Sequence, residues 1–335
     1  MNPTVSVVIA AHNGLDHIEA CLNSLFAQDY PSFEVIVVDN ASTDGSPERV
    51  ERIFPLAKLV RSPVNLAYGK GNNLGASLAQ GQFLLFLNHD TIVTDEFLIE
   101  LMKVVQGSPE VGVAQSKILM ASNPNLIDSA GAYLTKTGMW VHRDHGQPDR
   151  ILDNTPIEIL GACGACLMVR RSLFEALGGF DPDFVIYFDD ADLCWRARLL
   201  GKRTLLVPSS VIYHWGGATT RRLPSSFTVF HSFKNRLCSL IKLLSLQDLV
   251  VVLPIQLGLC LGGALAYFLR LNPANGIAIL RALRWNAANL GETLKKRNAV
   301  RRALPDKHRH LYKDFVIPFP LGYFIRTSLR YLAKW

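Results

Sequence analysis

The sequence predicts an α/β fold whose sheet is covered by helices on both faces, followed by a helical C-terminal region. Over the first ninety residues, short apolar runs rich in β-branched residues alternate with amphipathic stretches, which is typical of βαβ units. The 335-residue chain is 49% hydrophobic and 19% charged, which excludes a disordered or fibrous protein. Its charge is uneven, because residues 1–230 carry 18 Lys/Arg against 24 Asp/Glu and residues 231–335 carry 17 against 4.

The first elements follow one another along the chain in a regular order. A buried strand over Val5–Ile9 precedes apolar residues at helical spacing over Ile18–Phe26. A second strand, Glu34–Val38, ends in a loop rich in turn-forming and helix-capping residues, and a later strand, Phe83–Leu87, ends in another polar segment. Because ligands of parallel sheets bind beyond the carboxyl ends of the strands, we expect the polar loops after these strands to line one crevice.

The composition changes near Phe227, which predicts a boundary between two parts of the chain. Residues 1–226 are expected to form the α/β domain, and residues 227–335 a basic, apolar and helical region. Within the first part, a helix is expected over Thr91–Val105. Residues 107–160 are rich in Asn, Pro and Gly, so we expect them to cover the crevice rather than to build the sheet.

A carboxylate follows the third of these strands in the triplet Asn88-His89-Asp90. One or two carboxylates at a rigid strand end can hold a divalent cation on a diphosphate, because the phosphates and water supply the other ligands. Asp90 would suit the N-cap of a following helix equally well. The triplet alone leaves both interpretations open.

Two further polar groups stand at comparable places. Asp189, Asp190 and Asp192 lie within four residues, and repulsion with partial burial raises the pKa of a carboxyl group, as a general base requires. The alternative is a capping acid at a solvated helix start, with Asp192 pairing to Arg196. His214 follows another apolar run, and it would be a ligand only if the chain returns to the same crevice.

Six segments in order resemble the family 2 inverting glycosyltransferases of the GT-A fold, in particular rhamnosyltransferase-like members that build surface polysaccharides. The resemblance covers roughly residues 3–220. It implies a Rossmann-like fold of nucleotide-diphospho-sugar transferases, with a mixed sheet and helices on both faces. The segments are Val5–Gly14, Glu34–Ser46, Asn65–Ala76, Phe83–Thr91, Gly164–Asp181 and Tyr187–Gly201.

The resemblance implies a donor side for the site. Asn88-His89-Asp90 stands at the family's D-x-D position without its first acid, so Asp90 would contact Mg²⁺ or Mn²⁺ and His214 would complete the cation site. The donor would be a dTDP-, UDP- or GDP-linked sugar, with rhamnose as the candidate sugar. The residues that would contact its nucleotide or lie near it are Ala11, Asn13, Asp39, Lys70, Asn73 and Asn88.

The resemblance also implies an acceptor side. Asp190 matches the aspartate of the family's Glu-Asp pair, the catalytic base, and Asp189 replaces the glutamate. The cation would neutralise the diphosphate, Asp190 would deprotonate the acceptor hydroxyl, and one displacement would invert the anomeric carbon. The residues expected on the acceptor side are Gly164, Ala165, Asp189 and Asp192.

The basic tail contains an uncharged apolar stretch, Leu249–Leu269. Its length would reach ~31 Å as a helix, but the positive charges after it argue against translocation. We expect it to lie in the membrane interface or to re-enter, with one spanning helix or a soluble helical subdomain as alternatives. Phe315–Leu332 could form a second interfacial helix.

This tail predicts a protein bound to the cytoplasmic face of the cell membrane, with an anionic lipid surface and a lipid-linked glycan as partners. We expect no signal peptide before the first strand, and the six cysteines have no disulfide spacing. A chain ending near Phe227 would then be more soluble and would still bind its donor.

Two other classes of function stay open. A non-catalytic nucleotide-sugar-binding protein would need Asp39 and Asp90 but not Asp190. A nucleic-acid-binding protein would explain the basic tail, but its charges accompany aliphatic stretches, so no nucleic-acid partner is expected. Cys163-Gly-Ala-Cys166 is a lone C-x-x-C pair in an apolar stretch, which favours packing over a zinc or redox role.

Overall fold

The computed structural model describes residues 3–149, 154–217, 222–302 and 312–318. The strands are β1 Val5–Ala11, β2 Phe33–Asn40, β3 Lys58–Ser62, β4 Phe83–Leu87, β5 Thr91–Val93, β6 Val111–Met120, β7 Asn123–Ser129, β8 Ala132–Thr135, β9 Trp140–His142, β10 Ile157–Ile159, β11 Cys166–Arg170, β12 Arg203–His214 and β13 Val316–Ile317. The helices are α1 Ile18–Phe26, α2 Ser46–Ile53, α3 Ala67–Ser77, α4 Phe97–Gly107, α5 Arg171–Ala176, α6 Asp189–Leu199, α7 Ser225–Leu243, α8 Leu246–Leu269, α9 Pro273–Ala288 and α10 Leu290–Arg302.

A ten-stranded mixed sheet forms the centre of the molecule, in the order β10-β12-β6-β11-β4-β1-β2-β3, with β5 paired to β12 and β7 to β6. The strands β3, β2, β1 and β4 are parallel, and β11 runs antiparallel to β4 and β6. The carboxyl ends of β1, β2 and β4 therefore open at one edge. The predicted mixed sheet is confirmed.

Helices cover both faces of this sheet. On one face, α1, α2 and α4 pack buried side chains such as Leu22 and Leu101 against the strands. On the other face, α3, α5 and α6 contribute residues such as Ala76 and Leu193 to a second core. Because strand side chains alternate between faces, both faces of the central strands are buried, which explains their nearly continuous apolar sequence.

The middle of the chain differs from the sequence prediction. Thr91–Val93 is strand β5, paired with β12, and the helix begins only at Phe97. Residues 107–160 do build the sheet, since β6 lies between β12 and β11. Strand β6 was not predicted because it contains polar residues. These residues are paired inside the core: Gln115 donates to the carbonyl of Ser129, and the hydroxyls of Ser116 and Ser210 are 2.7 Å apart.

The C-terminal helices α7 to α10 pack on one another and against the α/β domain. Lys242 on α7 is 2% exposed, and its ammonium lies 2.6 Å from carboxylates of both Asp181 and Asp192. Asp192 also accepts a hydrogen bond of 2.7 Å from Arg196, and Lys296 on α10 lies 2.5 Å from Asp181. Burial raises the pKa of Asp181, but the two lysines outweigh it and hold that pKa below its usual range.

These contacts change the expectation for a chain that ends near Phe227. Such a chain would leave Asp181 and Asp192 buried without Lys242, and it would uncover the core that α7 shares with Trp195 and Leu199 on α6. We therefore expect the α/β domain and α7 to stabilise each other, and the division into residues 1–226 and 227–335 stays a prediction. The described start of the expected second interfacial helix is not an α-helix: Phe315 ends a 3-10 turn and Val316–Ile317 form β13. Residues 319–332 lie outside the described residues.

We predict that Lys242→Met lowers the free energy of unfolding by about 3–5 kcal/mol, because Asp181 and Asp192 lose the buried cation that they share, and Lys296 and Arg196 each pair with only one of them. Lys295→Met is the matched control, since Lys295 is 74% exposed and pairs with Glu292 on the surface. That variant should change stability by less than about 0.5 kcal/mol. Urea denaturation of both variants tests the difference, and equal losses would contradict it.

Candidate functional site

A cavity of about 630 Å³ opens at the edge of the sheet where β1, β2 and β4 end. Loops that follow these strands line it, together with the segment before β11, the start of α6 and the end of β12. The structure thus brings together seven of the residues that the sequence placed in the site: Asn88, Asp90, Gly164, Ala165, Asp189, Asp190 and His214.

Asp190 lies in the first turn of α6 and is fixed by two backbone donors. Its Oδ2 accepts a hydrogen bond of 2.7 Å from the N–H of Gly164, and its Oδ1 accepts one of 2.7 Å from the N–H of Ala191. A Cβ atom at Gly164 would lie 2.8 Å from the hydroxyl oxygen of Tyr68, which donates to the Gly164 carbonyl. This close approach requires glycine and orients the Asp190 carboxylate at the cavity wall.

The adjacent acids Asp189 and Asp190 differ in their environment. Burial raises the pKa of Asp189 well above its usual value, and the charge of Asp190 raises it further. Burial also raises the pKa of Asp190, but the N–H groups of Gly164 and Ala191 stabilise its carboxylate and limit the rise. Among the described residues, Asp189 Oδ2 has no hydrogen-bond partner. Of the two carboxyl groups, Asp189 therefore binds a proton more readily, and Asp190 keeps its charge more readily.

Other elements also present titratable groups to Asp190. His142, at the end of β9, is close enough for its charge to lower the pKa of Asp190. Burial raises the pKa of Tyr68 on α3 and of the Cys163 and Cys194 thiols, and the charge of Asp190 raises each of them further. These groups define the local field at the carboxylate.

Asp90 and His214 meet because β5 and β12 are paired. The register sets Thr91 opposite His214, and the N–H of Trp215 donates to the Asp90 carbonyl at 3.0 Å. His214 Nε2 then lies 3.4 Å from Asp90 Oδ1, while its Nδ1 lies 2.7 Å from Asp128 Oδ2 on β7. The chain does return to the crevice here, as a ligand role for His214 requires.

The two groups stabilise each other's charged forms. Burial raises the pKa of Asp90, but His214 lowers it more strongly, to about 2. Burial lowers the pKa of His214, but hydrogen bonds and charge from Asp128 and Asp90 raise it to about 9. These pKa values favour a carboxylate beside an imidazolium, and a cation bound by His214 Nε2 would displace its proton, because only a neutral imidazole ligates a metal.

This pair fits a divalent cation that is bound mainly through its substrate. Among the described residues, no three His, Cys, Asp or Glu side chains are grouped to hold a metal ion by themselves. Mg²⁺ and Mn²⁺ bound to a diphosphate need only one or two protein ligands. Asp128 holds the Nδ1 atom of His214, so that Nε2 is the nitrogen directed towards Asp90, as in carboxylate–histidine–metal arrangements.

The donor-side predictions at β1 and β2 are displaced by one position. Ala10, His12 and Asn40 line the cavity, whereas Ala11 and Asp39 are buried beside it. Side chains alternate along a strand, so neighbours of a lining residue point to the opposite face. Asp39 accepts a hydrogen bond from the N–H of Ser42, and Asn13 accepts one from the N–H of Thr43. Both shape the loop after β2 without lining the cavity.

Three other predicted residues lie away from the cavity wall. Lys70 is exposed on α3. Asn73 exchanges two hydrogen bonds of 2.9 Å with the backbone of Phe180. Asp192 is fully buried in the ion pairs with Arg196 and Lys242, which is the structural alternative considered for it.

Sequence reasoning missed several residues of the site. Asp128 lies on β7, in the segment expected to be irregular, and strand alternation there would have been the signal. Apolar side chains on one side of the cavity were also missed, and nothing local in the sequence marks them. Those apolar lining residues are Val185, Ile186, Tyr187, Leu223 and Phe227.

The chain is similar in sequence to known proteins and similar in fold to solved structures. The chain is 32% identical over 232 residues to the O-antigen biosynthesis protein RfbC of Myxococcus xanthus, covering 65% of this chain but only 18% of that longer protein. It is 26% identical over 253 residues to an N-acetylglucosaminyl-diphospho-decaprenol L-rhamnosyltransferase of Mycobacterium tuberculosis, covering 69% of this chain and 82% of that protein.

The fold is similar to that of a solved mannosyltransferase from Pyrobaculum calidifontis, in complex with GDP-Man and Mn²⁺. The TM-score is 0.54 at 19% identity, over 90% of this chain and 86% of that one. The family model described as glycosyl transferase family 2 matches residues 6–178, just over half of the chain. With its GT-A fold and its cavity at the strand ends, the protein belongs to glycosyl transferase family 2.

Proposed function

We propose that the protein transfers a sugar from a nucleotide-diphospho-sugar to a hydroxyl of a lipid-linked glycan, with inversion at the anomeric carbon. The observation that carries this proposal is the position of Asp190. Its carboxylate is held by the N–H of Gly164 at 2.7 Å, in the same cavity as the Asp90–His214 pair. A fixed carboxylate with a raised pKa across from a cation-binding pair is what a single displacement on a sugar nucleotide needs.

In the proposed reaction, Asp190 accepts the proton of the acceptor hydroxyl while the acceptor oxygen bonds to the anomeric carbon. The bond from that carbon to the diphosphate breaks, and the nucleoside diphosphate leaves with the bonding pair. Asp90 and His214 would hold Mg²⁺ or Mn²⁺, which neutralises the diphosphate charge when bound. Attack from the face opposite the leaving group gives inversion, and no covalent sugar–enzyme bond is required.

The donor would bind where β1 and β2 end, at Ala10, His12 and Asn40. His12 Nδ1 lies 2.9 Å from the Asn40 carbonyl, which joins the two strand ends into one wall. A dTDP-, UDP- or GDP-linked sugar fits this proposal. Rhamnose is the candidate sugar because the mycobacterial relative is an L-rhamnosyltransferase.

The lipid-linked acceptor is supported by the apolar side of the cavity. Tyr187 and Phe227 line it and are 40% and 36% exposed, so two aromatic side chains border the opening beside Asp190. Phe227 is in the first turn of α7, where the Ser225 hydroxyl lies 3.1 Å from the Asn275 side chain of α9. The cavity opening is therefore next to the helices that expose most apolar surface.

The helix α8 is the one helix among the described residues that is long and apolar enough to cross a membrane. We propose that it lies in the plane of the membrane surface instead. Only the stripe Val252, Gln256, Cys260 and Ala264 is buried, at every fourth residue. The Gln256 side chain bonds the Thr137 carbonyl in the turn after β8, so a crossing helix would draw the α/β domain into the bilayer.

The face opposite this stripe fits an anionic bilayer. Leucines on it, such as Leu261 and Leu265, are more than half exposed, and Arg270 and Arg281 are exposed beside them. Burying one leucine contributes ~1.5–3 kcal/mol and each basic residue about 1 kcal/mol, so apolar burial would dominate. Because sugar nucleotides are made in the cytosol, we place this surface on the cytoplasmic face of the cell membrane.

We expect Asp190→Asn to lower the rate of sugar transfer by about 10²–10⁴-fold, the contribution of a general base, because it keeps the shape and removes the basicity. Binding of the nucleotide sugar should stay close to that of the wild type. A nucleotide-release assay and calorimetric titration of the donor check both expectations. Asp189→Asn is the control, and it should cost much less, because Asp189 binds a proton more readily than Asp190 does. The reverse order of the two losses would show that the base is wrongly assigned.

The acid side of the pH–rate profile should report the same group. Lowering the pH protonates Asp190 and lowers the wild-type rate. Because the pKa of Asp190 is raised, this fall should occur at a higher pH than it would for an exposed aspartate. Above that pKa the carboxylate is ionised and the rate should reach its maximum. A profile without any acid limb, down to the pH at which the protein unfolds, would contradict a titrating base.

Excess chelator should stop turnover, and added Mg²⁺ or Mn²⁺ should restore it. Asp128→Asn should raise the Mn²⁺ concentration for half-maximal rate by ~10–100-fold, because a neutral amide replaces the carboxylate that orients His214 and makes it a stronger ligand. His145→Ala is the matched control, since His145 also approaches the Asp128 carboxylate, at 3.5 Å, but does not line the cavity. Mn²⁺ titrations followed by electron paramagnetic resonance check affinity without turnover. Full activity in excess chelator would contradict the cation site.

The full-length protein should sediment with phosphatidylcholine vesicles that contain phosphatidylglycerol, resist removal by high salt and be released by detergent. Replacing both Leu261 and Leu265 with Glu should weaken this binding, because the exposed face of α8 loses apolar area. Leu56→Glu is the control, since Leu56 is 83% exposed but lies before β3. Protein that stays in the supernatant at low salt would contradict membrane binding and would support the alternative, in which these helices form a soluble subdomain.

A further inference from the structure

The loop before the proposed base has an unusual backbone. Tyr187 and Phe188 both have positive φ angles, 65° and 70°, and they directly precede Asp189 and Asp190. Side chains disfavour this left-handed conformation, and two successive residues in it persist only where surrounding contacts hold them. The strained pair turns the chain into α6 and thereby sets the position of the Asp190 backbone.

Asn235 on α7 makes the contacts that hold this turn. Its Nδ2 donates one hydrogen bond of 2.8 Å to the carbonyl of Ile186 and another of 2.8 Å to the carbonyl of Tyr187. Asn235 is 0% exposed. Because both neighbours are acceptors, the amide nitrogen rather than the oxygen must face them. The side chain thus bridges two successive peptide groups at the point where the left-handed turn begins.

Three ion pairs, made by two lysines, hold α7 and α10 against the chain on either side of this loop. Lys242, two turns further along α7, holds Asp181 before the loop and Asp192 after it, at 2.6 Å each. Lys296 on α10 lies 2.6 Å from Asp183. These ion pairs lie on both sides of the turn, so the part of α7 that carries Asn235 is held in place relative to the loop.

We infer that Asn235 is a positioning residue for sugar transfer: through the carbonyls of Ile186 and Tyr187 it holds the turn that presents Asp190 to the acceptor. This inference rests on the proposed role of Asp190 as the base. It assigns a part of the catalytic geometry to α7, beyond the α/β domain. Asn235 itself does not line the cavity, so it acts only through the loop.

The expected consequence of losing these two hydrogen bonds is a shift of the Asp190 carboxylate from the N–H of Gly164. A misplacement of about 1 Å can lower a rate by about 10²-fold. Losing a donor to the charged form also raises a carboxyl pKa, so the acid limb of the rate would move to higher pH. The other groups facing Asp190 stay unchanged, namely Asp189 on α6, His142 on β9, Tyr68 on α3, and the thiols of Cys163 and Cys194.

The test compares Asn235→Ala with Asn286→Ala in the full-length protein. Asn286 on α9 is also buried, and its Nδ2 also donates to two carbonyls, those of Lys234 and Ala282, at 3.1 and 3.0 Å. Both variants lose two buried hydrogen bonds of a side-chain amide, but only Asn235 contacts the loop. Asn235→Ser, which keeps one donor, is the second variant if the alanine variant does not fold.

We expect Asn235→Ala to lower kcat by about 10²-fold, to leave the Kd of the tightest-binding of UDP, dTDP and GDP nearly unchanged, and to move the acid limb to higher pH. Asn286→Ala should lower the melting temperature about as much as Asn235→Ala does, and it should keep the wild-type kcat and acid limb. Equal kcat and equal acid limbs in the two folded variants would overturn the positioning role.

Asp190→Asn in the same assay separates this inference from the proposed function. If Asp190→Asn is inactive while Asn235→Ala turns over normally, only the positioning role of Asn235 fails. If Asp190→Asn keeps wild-type turnover, the proposed base is wrong, and the role of Asn235 fails with it.

Discussion

The buried cluster around Lys242 is the interaction on which the rest of the structure depends. One ammonium joins Asp181, in the turn that follows α5, to Asp192, in the first turns of α6. Arg196 completes the cluster and also donates to the carbonyls of Leu177 and Gly179. Charges this deeply buried are tolerated only as a complete set, since each one alone would be costly. The cluster therefore joins α6 and the preceding loop to α7 as one folded unit.

Within the described part of the tail, several basic side chains form internal contacts. Lys242 and Lys296 pair with buried acids of the α/β domain, and Arg297 donates to the carbonyls of Ile241 and Leu244. The net charges of the two parts of the chain are opposite in sign because they are in part complementary in space. Other basic residues of the described tail, such as Arg270 and Arg281, are exposed and would be available to an anionic lipid surface.

Local sequence patterns were sufficient for the part of the site that is built from strand ends. The triplet at Asn88 follows β4, whose direction is fixed by parallel pairing with β1, so its place at the crevice could be predicted. Asp190 lies at the start of α6 after a loop, and its place in the site was expected only from the resemblance to the family. The partners of those residues could not be predicted in the same way. Asp128 reaches His214 only through the pairing of β7 with β6, a strand whose polar residues hide its burial.

The remaining misses have two physical causes. The one-residue displacement at β1, where His12 lines the cavity beside a buried Ala11, reflects strand alternation, which family motifs do not resolve. The contacts of Asn235 are tertiary and span almost fifty residues of sequence, so no local period indicates them. Helix α7 could be predicted as a helix from its composition, but not as a support for the loop before α6.

If α8 lies on the membrane surface as proposed, its narrow buried stripe would have a geometric consequence for substrate choice. A helix that lies along the membrane surface keeps the attached domain at one height, so Asp190 would stand at a constant distance from the lipid headgroups. An acceptor whose growing end lies close to its diphosphate would reach that height, whereas a long glycan would carry its terminal hydroxyl past it. Chain length of the acceptor would then be selected by the position of a helix rather than by contacts with each sugar.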